Sequence, residues 1–171
     1  SAACILRALA DSYIRLQKYA AYLQVEAGCT AMSILFSYGS IFIAYVGDCR
    51  AVIYRRDGSC LPLSWDHKPF DASEYLRIRR LGGYVTEDQR VNGVLATSRS
   101  IGDVSLQPFI TYQPQLISYT TQFEDWFVVV ACDGLWDVLT NAEVFEIAQQ
   151  CGTPSEAAPR LRDAAYAIGS T

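Results

Sequence analysis

Long apolar runs are missing from these 171 residues. No stretch approaches the roughly 18 consecutive apolar residues of a membrane span, so no spanning helix is expected. A signal peptide is not visible either. The chain opens directly on a helical pattern, SAACILRALADSYIRLQKYAAYL, and without a Met, which reads as a trimmed or partial chain. Histidine occurs once, at His67, and no CxxC pair exists, so a zinc site is not expected. No GxxxxGK[ST] loop is there to cradle a phosphate, and Ser98 and Ser100 lack a nucleophile elbow. Charged residues are scarce at 19%, and 18 acidic against 14 basic side chains leave a net charge of −4. That balance excludes a broad basic face for nucleic acid and is compatible with cations.

What is present is apolar and punctuated by turns. Hydrophobic residues make up 51% of the chain, enough for one well-packed domain. The six cysteines are scattered, mostly within apolar runs, and read as buried free thiols of a reducing compartment, cytoplasmic or nuclear. Cys4, Ile5, Ala8, Leu9, Ser12, Leu16, Tyr19 and Leu23 fall near one face at helical spacing, predicting an amphipathic helix that Gly28 ends. Short β-branched and aromatic runs then follow from Thr30 to Ser64, split by Gly39, Gly47-Asp48 and the hairpin signal Arg56-Asp57-Gly58-Ser59. Asp71, with Glu74 three residues on, predicts a capped helix closing on Gly82-Gly83. Beyond a loop-rich stretch come two strands, QLISYTT and DWFVVVAC. Two helices close the chain, one capped by Asn141 and one with Pro154 in its first turn; Pro159 is expected to mark where the second becomes regular. Strands grouped centrally, helices before and after, and no βαβ alternation predict an α+β fold of mostly antiparallel sheet covered by helices.

The chemistry concentrates in a few acidic positions. In VVVACDGLWD an apolar run ends abruptly on Asp133, where a carboxylate is costly unless something positive meets it. A hard cation with oxygen ligands suits the position, with Asp137 one turn on; capping a following turn suits it equally. Asp48, after Gly47 between two strands, reads as a turn aspartate. His67 reads as a packing residue of its loop, and Arg99 and Asp103 as a surface pair.

Taken in order, AGCTAMSILF, AYVGDCRAVIYR, LSWDHKP, RIRRLGGYV, RVNGVLATSRSIGD and VVVACDGLWDVLTNAEV resemble successive motifs of the metal-dependent protein phosphatases of type 2C. The resemblance runs through nearly the whole chain and implies that residues 1–171 are part of one such domain. It implies an antiparallel β-sandwich flanked by helices, a four-layer α-β-β-α arrangement, here incomplete. It also implies a binuclear Mn²⁺ or Mg²⁺ centre and hydrolysis of phosphoserine and phosphothreonine by a metal-activated water. By resemblance Asp133 is a ligand of the metal pair, and Asp137 and Asp48 hold a further, weaker metal. The stretch from Gly82 and Gly83 through Arg90 to Asn92 corresponds to a flap that influences substrate choice.

The departures are as informative. The family's upstream phosphate-binding Arg, its paired acidic motif and its DGHGG segment do not occur in these residues. The chain stops at Gly169-Ser170-Thr171, about where a terminal Asp-Asn pair would begin, and Cys29 and Cys49 stand where hydroxyls are usual. The 171 residues alone are therefore expected to be inactive. The expectation is a phosphatase seen in part; the alternatives are a catalytically inactive relative kept as a binding or regulatory module, or a subunit of a larger assembly. Its partner would be a phosphoprotein substrate or a regulatory protein, with no nucleic acid and no membrane span.

Overall fold

Turn residues between the apolar runs decide how the chain folds back on itself, and a computed structural model, which describes residues 1–170, shows where. The opening helix α1 spans Ala2–Tyr22. The short strand β1 (Gly28–Cys29) follows, then β2 (Ala31–Ser37), β3 (Ser40–Val46), β4 (Arg50–Arg55) and β5 (Cys60–Pro62). Helix α2 (Ala72–Arg80) precedes a looped segment containing β6 (Ile101–Gly102). Strands β7 (Gln115–Thr120) and β8 (Asp125–Ala131) lead to three helices, α3 (Asp133–Trp136), α4 (Asn141–Ala148) and α5 (Pro154–Ala167). Every strand pairing within these sheets is antiparallel, in the orders β2-β3-β7, β5-β4-β8 and β1-β6. The expected α+β class with antiparallel sheets is what forms.

The chain divides into two compact units, the first from Ser1–Cys49 and Asp66–Thr121, the second from Arg50–Trp65 and Gln122–Thr171. In the first, α1 lies on the β2-β3-β7 sheet and buries Tyr13 against Ala44, Val46 and Ile101. The Tyr13 hydroxyl donates to the Ala44 carbonyl at 2.6 Å, so its polar end is satisfied. A second cluster of Ile78, Val91 and Ile110 ties α2 to the loop beyond it. In the second unit Val52 and Tyr54 of β4 pack with Trp136, Leu139, Val144 and Leu161, and stacked rings of Tyr54, Phe127 and Phe145 continue that core.

Several sequence expectations are corrected. The helix ends at Tyr22 rather than at Gly28, which instead pairs with Gly102 in a strand. Its buried residues are Tyr13 and Gln17, while Leu16, Tyr19 and Leu23 are exposed. The reason is polar satisfaction. The Gln17 amide accepts from Gly102 N–H at 2.8 Å and donates to the Gly102 carbonyl at 3.1 Å, completing a short strand's bonding from a helix. All six cysteines are free, as expected, but none is buried; four are exposed.

Capping also differs. Asp71 occupies the N-cap of α2 without a side-chain cap bond, and Glu74 turns to two arginines rather than back to the cap. The capping box forms at Thr140 with Glu143, one residue before the expected Asn141. Helix α5 begins at Pro154 and continues through Pro159, losing one internal bond without breaking.

Candidate functional site

Strand β8 pairs with β4 and ends where Trp136 Nε1 donates to the Ala131 carbonyl at 3.0 Å, folding α3 back against the strand end. Asp133 is thereby the first residue of α3 and Asp137 follows its last. The expected buried strand is corrected here: β8 is half-buried, and both carboxylates are exposed. Asp133 Oδ1 accepts the N–H of Gly134 at 2.9 Å, and Asp137 N–H donates to the Asp133 carbonyl at 2.8 Å. Next to them Arg50 places its guanidinium 5.3 Å from the Trp136 ring, and an open groove runs past Asp137, Thr140 and Asn141.

Asp48 belongs to the first unit and Asp133 and Asp137 to the second. Gly47, at φ +92°, makes the turn that β-branched or bulky residues could not, and Asp48 follows it at 7% exposure. Lys68 Nζ meets Asp48 Oδ2 at 2.5 Å. The neighbouring His67 is buried, stacked on Tyr45, and bonded through its Nδ1 to the Gly47 N–H at 3.0 Å. An Nδ1 that accepts leaves the proton on Nε2, which donates to Gln115 Oε1 at 3.1 Å. Burial, and then the charge of Arg99, lower the His67 pKa to about 4, so the ring is neutral. The reading of His67 as a packing residue therefore holds, with a positioning task added. Its carbonyl collects the Ser98 N–H, the Ser98 hydroxyl and the Thr97 hydroxyl.

Arg99 and Asp103 do not pair with each other at the surface. Arg99 Nη2 meets Glu74 Oε1 at 2.6 Å and Arg77 Nη2 meets Glu74 Oε2 at 3.0 Å, with Glu74 buried at 3% exposure. Asp103 accepts from the Ser100 hydroxyl instead. Burial pushes the Glu74 carboxyl up, but hydrogen bonds and charge from Arg99, together with Ser98 and Arg77, outweigh it and hold the pKa at about 2. Sequence reasoning assigns Glu74 only to a helix cap and gives Lys68 no role. Lys68 sits inside the quoted DHKP motif, but its partner is 20 residues away.

The residues expected to form a flap make a self-bonded loop. Gly82, at φ +88°, closes α2, and Gly83 packs where a side chain would collide with Phe109 and Ile78. Asn92 Oδ1 accepts the Tyr84 N–H and Arg90 Nη1 donates to the Val94 carbonyl, while Val91 is buried between them.

A hard divalent cation requires several oxygen ligands in fixed geometry. Among the described residues no three His, Cys, Asp or Glu side chains come together to hold one. Asp48 is engaged by Lys68 and Asp133 by its own neighbour. The donors of this chain thus fall short of a metal centre by themselves.

The family model for protein phosphatase 2C matches residues 2–171. The chain belongs to the protein phosphatase 2C family. It is 39% identical over 145 residues to protein phosphatase 2C homolog 1 of Schizosaccharomyces pombe, covering 78% of this chain and 40% of that protein. It is 45% identical over 125 residues to protein phosphatase 2C 16 of Arabidopsis thaliana, covering 72% and 24%. Among solved structures, serine-threonine phosphatase 2C from Toxoplasma gondii superposes with a TM-score of 0.83 at 25% identity, over 95% of this chain and 61% of that one. This protein phosphatase 2C chain spans about half or less of the length of those curated relatives.

Proposed function

We propose that the protein is a metal-dependent protein serine/threonine phosphatase, and that this chain is one part of its catalytic domain. In this reading Asp133 and Asp137 are its contribution to a Mn²⁺ or Mg²⁺ centre, whose chemistry when bound is to supply an activated water for attack on a phosphomonoester. The chain's own part is to present two exposed carboxylates from the end of β8, fixed by the Trp136–Ala131 bond. The flap of residues 82–92 is its contribution to substrate choice. The substrate is a phosphoprotein, and six free thiols, four of them exposed, fit a reducing cytoplasmic or nuclear setting.

The observation that carries this reading is the family match over residues 2–171 with DGLWD placed at a solvent-facing strand end. The test is phosphate release from a phosphothreonine peptide by protein made from the complete reading frame, with and without Mn²⁺. Release that needs Mn²⁺ and falls at least about a hundredfold in Asp133→Asn is the expected result. Absence of release from soluble, folded protein would overturn this reading and favour the non-catalytic binding module.

A further inference from the structure

The expectation for Asp48 is a weak metal ligand, yet the structure gives its carboxylate a different cation. Asp48 is 7% exposed, and a carboxylate so placed requires a positive partner. Lys68 supplies it at 2.5 Å, with its own side chain 25% exposed. The two residues are held side by side by their neighbours. His67 N–H donates to the Gly47 carbonyl at 3.0 Å while Gly47 N–H donates to His67 Nδ1 at 3.0 Å. The far side of His67 is fixed in turn, because its carbonyl takes the bonds from Thr97 and Ser98. The ammonium is thus presented to Asp48 by the backbone and does not reach it by chance of a long side chain.

We propose that Lys68 is the resident cation of Asp48, so that Asp48 joins a divalent-metal site only by displacing it. Two magnitudes decide between the ions. A tethered group acts at an effective concentration on the order of millimolar or above, far beyond the free concentration of a trace metal such as Mn²⁺. A divalent ion has the larger charge, but it must recruit several oxygen ligands, whereas a single carboxylate suffices to hold an ammonium. Segment 66–69 therefore acts as a built-in competitor for the turn that carries Asp48.

The experiment is calorimetric titration of the complete protein with MnCl₂, without substrate, for wild type, Asp48→Asn, Lys68→Met and the double variant. Because binding is read directly, failure of the phosphatase reading leaves this result interpretable. With Lys68 resident, Asp48→Asn leaves the number of Mn²⁺ sites and their affinities unchanged. Lys68→Met then adds a site or tightens one roughly tenfold, and that gain disappears in the double variant. Loss of a Mn²⁺ site in Asp48→Asn, or a folded Lys68→Met with unchanged binding, overturns the proposal. Should Lys68→Met fail to fold, the near-isosteric Asp48→Asn decides alone.

Discussion

Replacing Glu74 by Gln keeps the shape of the side chain and removes its charge from between Arg77 and Arg99. Those guanidiniums are 25% and 20% exposed and meet the carboxylate at 3.0 and 2.6 Å. The folded-state pKa is lowered from 4.5 to about 2. A tenfold change in proton affinity is worth about 1.4 kcal/mol, so ionised Glu74 contributes about 3 kcal/mol relative to its protonated form. The sign follows from the depression: the contribution is complete above the unfolded value of 4.5 and is lost as pH falls through about 2. Linkage then leaves about 1.4 kcal/mol at pH 3 and about 0.4 kcal/mol at pH 2. The assay is urea unfolding of wild type and Glu74→Gln at pH 7 and pH 3. The variant should be about 3 kcal/mol less stable at pH 7, and the gap should roughly halve by pH 3. A gap below about 1 kcal/mol at pH 7, or one that does not change with pH, would refute the reasoning.

His67 titrates in the opposite chemical sense but with the same direction of linkage. Its folded pKa is lowered from 6.5 to about 4, so stability is lost as pH falls between those values; ¹⁵N NMR should show a neutral ring protonated on Nε2 at pH 6, and an imidazolium there would contradict the Gly47 bond. In the second unit Tyr54 is fully buried and its hydroxyl has no hydrogen-bond partner among the described residues, so burial holds its pKa high. Tyr54→Phe should therefore be neutral or stabilising by up to about 1 kcal/mol in thermal unfolding, and a clear loss of stability would reveal a partner for that oxygen.

The sheet strands are legible in the sequence because each lies between residues that force a turn. The Asp57-Gly58 hairpin and the Gly47-Asp48 turn sit where composition puts them, with Gly58 and Gly47 both at positive φ. The face of α1 is not legible by polarity. Apolar spacing favours Leu16 and Tyr19, whereas the helix is turned by about one residue, roughly 100°, to bury Tyr13 and Gln17. Nothing local announces that Gln17 will serve the backbone of Gly102, 85 residues away. Glu74 misleads for a related reason. Its position three after Asp71 satisfies a capping pattern, and only the tertiary arrival of Arg99 makes the ion pair the better use of the carboxylate.

The same logic separates the three aspartates. Asp133 and Asp137 stand exposed at the end of β8, and the sequence pattern that places them there, an apolar run stopped by Asp-Gly, is local and readable. Asp48 also follows a readable turn, but its chemistry depends on a cation delivered from 20 residues on by a segment whose own anchor is His67. A sequence motif names which residues share ancestry with metal ligands. Whether each carboxylate is available to a metal depends on what long-range folding has already brought to it, and at Asp48 folding brings a lysine.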